Sequence, residues 1–212
     1  MRKYELTDET KIYSGITLHR IKALVDFGCI KAGEIGGWIE TEDNLSQYGD
    51  AWVYGNARVY DNARVYDNAL VYGGAYVSGN ARVYGDAQVS GNAQVYGDAQ
   101  VSGNARVYDD AYVYGNVQVS GDAWVSGDAW VAAKECIFWI SGIGSRNGTT
   151  TFFNCKDGKI RVSCGCFYGD LDEFLEAVNK THGDNEYGQV YRIAIEMAKK
   201  RIHTVREEVK ND

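Results

Sequence analysis

Thirteen six-residue units follow one another without insertion from Val53 to Trp130, nearly all reading Val-(Tyr/Ser)-(Gly/Asp)-(Asn/Asp)-Ala-x. A short fixed period of this kind marks a stacked repeat architecture, in which each unit buries its apolar face only against its neighbours. Within a unit, Ala-x-Val-(Tyr/Ser) alternates small, variable, branched and polar, the two-residue period of a half-buried strand. Ala and Val therefore point one way, while x and the Tyr or Ser point the other. The Gly-Asn, Gly-Asp, Asp-Asn, Gly-Gly or Asp-Asp pair that follows tolerates left-handed backbone and marks a corner. A four-residue strand and a two-residue corner make one side of a coil, and three sides close a coil of about eighteen residues. The expected fold is mainly β: a left-handed parallel β-helix of about four to five coils. Val53, Val59, Val65 and their six-step successors through Val125 should line its interior.

The period frays at both ends. Gln47-Tyr48-Gly49-Asp50-Ala51-Trp52 carries a polar residue where Val belongs, and residues 131–136 lose the corner chemistry. The chain divides accordingly into an N-terminal β cap (1–46), the β-helix (47–136) and a C-terminal hairpin and helical module (137–212). In the cap, residues 4–7 and 17–24 read as short strands around Ser14-Gly15. In the last module, residues 149–155 and 160–167 flank the turn Lys156-Asp157-Gly158-Lys159 and predict a hairpin. Asp170 with Glu173 forms a capping box that opens a first α-helix, and Gly183 closes it. A second helix from about Asn185 carries Tyr187, Val190, Tyr191, Ala194, Met197, Ala198, Ile202 and Val205 at three- and four-residue steps. Its end is basic, with Lys199, Lys200, Arg201 and Arg206, as suits a helix C-terminus.

The chain has 25 glycines and no proline, so Gly, Asn and Asp carry every sharp corner. A net charge of −7 weighs against nonspecific nucleic-acid binding. No apolar run approaches the roughly eighteen residues of a membrane span, and no apolar core follows Met1-Arg2-Lys3-Tyr4-Glu5. Five scattered cysteines, an odd number, suit a reducing compartment. A soluble cytoplasmic protein with no membrane partner is expected.

The stretch Asp26-Phe27-Gly28-Cys29-Ile30-Lys31-Ala32-Gly33-Glu34-Ile35-Gly36-Gly37-Trp38-Ile39-Glu40, continued by Asn44-Leu45-Ser46-Gln47-Tyr48-Gly49-Asp50-Ala51-Trp52-Val53-Tyr54, resembles the start of a bacterial and prophage family. Its members are hexapeptide-repeat proteins of the kind labelled acyltransferase or polymer-forming protein. The resemblance covers residues 16–54 closely and the repeats generally. It implies a β-helix with an N-terminal cap and a phage or prophage setting, and it brings no reaction to these positions. Cys164-Gly165-Cys166-Phe167-Tyr168-Gly169, with Leu171-Asp172-Glu173-Phe174 and Thr181-His182-Gly183-Asp184, looks like a small C-terminal module of phage proteins of this sort. The plain reading of that module is a cap that packs on the coil end or joins protomers.

Left-handed β-helix acyltransferases, similar to this chain in fold, typically use a coil His as general base, and carbonic anhydrases of that fold need three His on zinc. His19, His182 and His203 all lie outside the repeats, and no loop insertion interrupts the coils. No catalytic residue and no cofactor are therefore assigned. Cys155, Cys164 and Cys166 with His182 contain no C-x-x-C pair, and a C-x-C beside aromatic residues is more often core packing, so no metal is expected. A Cys–His nucleophile pair lacks a third, orienting residue. No strand–GxxxxGK–helix context turns the glycine corners into phosphate loops.

Residues eighteen apart stack, which sorts the outward positions by face. One face carries Arg64, Tyr66, Arg82, Tyr84, Gln100 and Gln118. A second carries Arg58, Tyr60, Tyr76, Gln94, Tyr112, Tyr114 and Trp130. The third carries Trp52, Leu70, Gln88, Arg106 and Trp124. Tyr and Trp suit flat sheet surfaces on their own account, but at this density they also point to an interface. The fold resemblance implies a homotrimer, with Tyr76, Tyr112, Trp130, Tyr187, Val190 and Tyr191 as the expected oligomer interface. Arg64 and Arg82 should lie about 4.8 Å apart along the stack and repel one another unless an anion intervenes. With Tyr66 and Tyr84 they form the expected ligand- or partner-binding patch, Arg58 and Arg106 contributing from the other faces. The competing arrangement pairs each Arg with a corner acid such as Asp61, Asp67 or Asp86. The function expected is that of a noncatalytic phage- or prophage-type binding protein. It would sequester a small anionic ligand or occlude a host protein, as a host-defence inhibitor does. A structural or assembly module and an acyltransferase are the alternatives.

Overall fold

The structure, a computed structural model, describes residues 2–204; Val205 and Arg206 of the expected second helix lie outside the described residues. Three antiparallel strands open the chain: β1 (Tyr4–Tyr13), β2 (Ile16–Ala23) and β3 (Ile35–Ile39). The first is longer than the four residues expected. Fourteen two-residue strands follow, β4 to β17, each an x-Val pair. They begin at Trp52–Val53, Arg58–Val59 and Arg64–Val65 and recur at every sixth residue to Trp130–Val131.

These strands are half the expected length for a local reason. Each Ala N–H that bonds locally reaches back three residues to a Tyr or Ser carbonyl, as from Ala57 to Tyr54 at 3.0 Å and from Ala81 to Ser78 at 3.3 Å. The sequence Tyr/Ser-Gly/Asp-Asn/Asp-Ala is thus a four-residue turn whose second residue has positive φ. Parallel ladders join each strand to the one eighteen residues on, pairing Arg64 with Arg82, Gln88 with Arg106 and Tyr112 with Trp130. Three sheets enclose a core of valines and alanines. Every valine from Val53 to Val131 in the six-residue series is fully buried, and Val117 fills an alanine position without breaking register.

The cap seals the first coil. β3 enters the stack directly, with Trp38 paired parallel to Arg58. Gly36-Gly37 makes this possible, because a Cβ on Gly37 would lie 2.6 Å from Val53 Cγ1. Trp52 occupies an outward position but is fully buried, covered by Tyr4 and Phe27 at ring distances of 6.1 and 5.4 Å. Buried Asn44 closes the ladder edge. Its amide donates to the carbonyls of Asp61 and Ala63, both at 2.9 Å, and its carbonyl oxygen accepts from the Glu40 and Thr41 N–H groups.

At the other end a four-stranded antiparallel sheet stands where a two-stranded hairpin was expected. It comprises β18 (Ile137–Ile143), β19 (Gly148–Asn154), β20 (Ile160–Cys164) and β21 (Phe167–Asp170). The edge strands lacked flanking punctuation: β18 begins immediately after the repeats, and β21 runs into the helix cap. β19 closes the solenoid, where the Thr151 hydroxyl accepts the Trp124 N–H at 3.0 Å and Cys155 bridges Ala129. Helices α1 (Leu171–His182) and α2 (Glu186–Arg201) pack on this sheet around Phe152, Val162, Phe174, Val178 and Tyr191. Asp170 and Glu173 form the expected capping box. Among the described residues no helix is long and apolar enough to cross a membrane.

Candidate functional site

Arg64 and Arg82 are exposed and directly paired on the shortest of the three faces. Beside them the rings of Tyr66 and Tyr84 stack with centroids 4.9 Å apart and planes within 2°. Parallel stacking follows from parallel, in-register strands, which repeat one rotamer at the coil spacing. Burial, then Tyr84, raises the Tyr66 hydroxyl pKa above the ordinary phenol value, so the ring stays neutral. The corner acids named as alternative partners are engaged elsewhere. Asp61 and Asp67 accept the Gly79 and Gly85 N–H groups at 3.0 and 3.2 Å, and Asp86 accepts the Asn68 amide at 3.0 Å. Among the described residues neither arginine forms an ion pair.

The other expected binding arginines are not available in the same way. Arg58 lies between aromatic rings, 4.2 Å from the Tyr13 centroid and 5.4 Å from that of Tyr76, and donates to the Gly74 carbonyl at 3.2 Å. Arg106 lies 4.9 Å from the Trp124 ring. Both contacts are cation–π pairs that hold the guanidinium on its own face. Of the expected interface residues, Tyr76 is flanked by Tyr13, a contact made by the tip of the cap hairpin that the repeat alone did not signal. Tyr112 and Trp130 lie with ring centroids 5.0 Å apart and planes tilted by 32°, with Lys156 above Tyr112 at 4.2 Å. Tyr187 and Val190 are exposed on α2. Tyr191 is a correction: it faces the sheet and is only 9% exposed, because the apolar stripe of α2 divides into a buried and an outward half.

A separate, concave feature of 760 Å³ opens between the solenoid at Asp122 and Trp124, the β18–β19 loop, the β20–β21 turn and the two helices. Trp124, Phe167, Phe174 and Val178 contribute apolar wall, and Arg146, His182, Cys164, Cys166 and Tyr191 contribute polar groups. Cys155 does not join them; it is buried at the coil end beside Asp128, and burial pushes its thiol pKa far up. Among the described residues no group of three or more His, Cys, Asp or Glu side chains is placed to hold a metal ion. Sequence reasoning missed Arg146 and its loop. The available signal was the glycine-rich run Ser141-Gly142-Ile143-Gly144-Ser145-Arg146-Asn147-Gly148 between two apolar segments.

The repeats have known counterparts. Residues 51–64, 63–77, 75–91, 87–101 and 99–115 match the YdcK β-solenoid repeat family. Over 90 residues the chain is 33% identical to an Escherichia coli K12 protein bearing the name "Uncharacterized acetyltransferase YdcK". The match takes in 39% of this chain and 24% of that protein, so the chain spans about a quarter of its relative's length. Together with the register of the coils, these matches define a hexapeptide-repeat β-solenoid protein.

Proposed function

We propose that this chain is a noncatalytic binding protein whose solenoid presents the Arg64–Arg82 and Tyr66–Tyr84 ladder to an anionic partner. One observation carries the reading: two exposed, register-paired arginines stand beside parallel-stacked tyrosines while the nearby corner carboxylates are bonded to amides and backbone. Guanidinium groups match carboxylate or phosphate oxygens bidentately, and two such groups at the coil spacing lower their mutual repulsion by sharing an anion. The face is flat and rigid, which suits an acidic protein surface better than an enclosed small ligand. Occlusion of a host protein in a phage or prophage setting is the biological form of this reading, and it rests on the N-terminal resemblance.

Self-association belongs to the same proposal. Tyr112 with Trp130, and the α2 residues Tyr187, Val190, Ile193 and Met197, supply the apolar surface for it. A homotrimer through the solenoid faces is the form the fold resemblance implies.

The test is biosensor binding of the full chain to poly-L-glutamate at two salt concentrations. Arg64→Ala with Arg82→Ala should weaken binding at least about tenfold and flatten its salt dependence, with an unchanged Tm. Equal affinity of the double variant would refute the site. The second reading, acetyl transfer, is favoured by the name of the matched relative. Thiol release from acetyl-coenzyme A with an amine acceptor, abolished by substitution of a single residue, would establish it in place of the first.

A further inference from the structure

The 760 Å³ chamber shares no residue with the arginine ladder, and the binding reading above makes no use of it. Its polar groups are arranged in sequence. The fully buried Thr150 hydroxyl donates to the Cys164 thiol at 3.2 Å, and the thiol donates to the Tyr191 hydroxyl at 3.8 Å. The phenol and the thiol thus share one long contact, weak enough for the Tyr191 proton to pass to a stronger acceptor in the chamber that both residues line.

The surroundings keep that proton in place. Burial and the neighbouring Cys164 push the Tyr191 pKa up to about 12, with the Arg146 charge opposing. At neutral pH the group is therefore a donor. Gly144 lies against it so closely that a Cβ there would overlap the hydroxyl. The absence of a side chain thus brings the β18–β19 loop, and Arg146 two residues on, to the phenol. Phe174, edge-on to the Tyr191 ring at 5.6 Å, continues with Phe167 and Val178 as an apolar wall that carries no charge.

We propose that this chamber binds an amphipathic carboxylic acid, an aryl or short acyl acid. Arg146 and the Tyr191 hydroxyl hold the two carboxylate oxygens, and the apolar body lies against Phe167, Phe174 and Val178. One guanidinium and one neutral O–H match a monoanion with two oxygens. A phosphate dianion is disfavoured, since the Asp122 carboxylate, which accepts the Asn104 amide at 2.9 Å, stands at the chamber's edge. A neutral ligand would leave both the guanidinium and the phenol proton unused.

The probe pair is 1-naphthaleneacetate and its neutral isostere 1-naphthaleneethanol, titrated into the full-length protein and read by naphthalene fluorescence and calorimetry. The acid should bind at least about tenfold more tightly than the alcohol. Arg146→Gln and Tyr191→Phe should each reduce the acid's affinity about five- to tenfold and leave the alcohol's unchanged. Arg146 sits on an exposed loop, so its variant keeps the test valid even if Tyr191→Phe lowers Tm. Equal affinity for acid and alcohol, no binding of either at millimolar concentration, or an Arg146→Gln variant that binds the acid normally would each overturn the proposal. The Arg64→Ala, Arg82→Ala variant should bind the acid like the parent, which separates this site's failure from that of the ladder.

Discussion

Asp61, Asp67 and Asp109 stand at corners where most other repeats place glycine, and each has a positive φ, between 56° and 59°. An L-residue there is strained, yet each aspartate recovers part of the cost. Its carboxylate accepts the N–H of the glycine eighteen residues on, at 3.0 to 3.2 Å. Asp61→Ala should therefore lower stability by about 1–2 kcal/mol, whereas Asp61→Gly should be nearly neutral, because it exchanges a hydrogen bond for conformational freedom. Urea titration of both variants checks this, and equal midpoints would remove the explanation. Lys3 makes a second residue-level case. Its ammonium is buried, donates to the Ala51 and Gly49 carbonyls at 2.9 and 3.3 Å, and burial lowers its pKa to about 8, with Asp50 opposing. Between about pH 8 and the unfolded value of about 10.4, the unfolded chain holds a proton that the native chain lacks, so stability rises with pH across that window. Below pH 8 both states are protonated and the penalty for the buried charge is constant. Relative to Lys3→Met, the parent's Tm should gain about 3 °C between pH 7.5 and 9.5. Parallel pH profiles would mean that Lys3 titrates as in water.

At the scale of the element, the two-residue strands have no independent stability, so the stack depends on how its ends are closed. Asn44 satisfies two carbonyls and two N–H groups at the first edge. Asn44→Leu preserves approximate volume but removes the partner of the Asp61 and Ala63 carbonyls and of the Thr41 N–H, while the Glu40 N–H keeps the Val59 carbonyl at 3.1 Å. A loss of about 3 kcal/mol is expected, with hydrogen exchange accelerated first in the opening coil and last near β19. Uniform acceleration along the solenoid would show that the cap does not act locally. Helix α2 carries its outward apolar residues Val190, Ile193 and Met197 between Glu186 and Lys200, which lie seven residues before and after Ile193. That spacing is the alternating three and four of a helical seam. In an antiparallel pair centred on Ile193, Glu186 faces Lys200 of the second copy, whereas a parallel three-helix contact gathers like charges. The prediction is a species heavier than 23.5 kDa by light scattering, reduced in mass by Ile193→Glu. A parent that stays at 23.5 kDa across micromolar concentrations would end the self-association proposal.

For the molecule as a whole, the interior is one continuous column, and a defect in any coil is felt by both neighbours. Val89→Asp places a charge among valines and alanines with no partner and should cost about 3–5 kcal/mol. An unchanged Tm would contradict the inward assignment of that side chain. Much of this architecture was legible in the chain, because each residue of a solenoid meets the same surroundings as the residue eighteen positions away. The alternation at Ala57-Arg58-Val59-Tyr60 therefore already described β5 and, by repetition, the buried valine column and the pairing of Arg64 with Arg82. What the alternation did not convey was strand length, since the Ala N–H turns back to the preceding Tyr or Ser carbonyl and not into a longer ladder. The two ends obeyed no period. Trp52 reads as outward yet is buried, because Tyr4 and Phe27 arrive from some 48 and 25 residues earlier to cover it. Arg58 reads as a free cation yet lies between Tyr13 and Tyr76. The chamber is the furthest from local pattern: Trp124, Arg146, Cys164 and Tyr191 belong to a coil, a loop, a strand and a helix. The sequence by itself determined the coil, since translation along the stack turns local spacing into three-dimensional position. Only the tertiary structure decided which aromatics are covered and where a cavity opens, since those depend on contacts between segments that share no repeat.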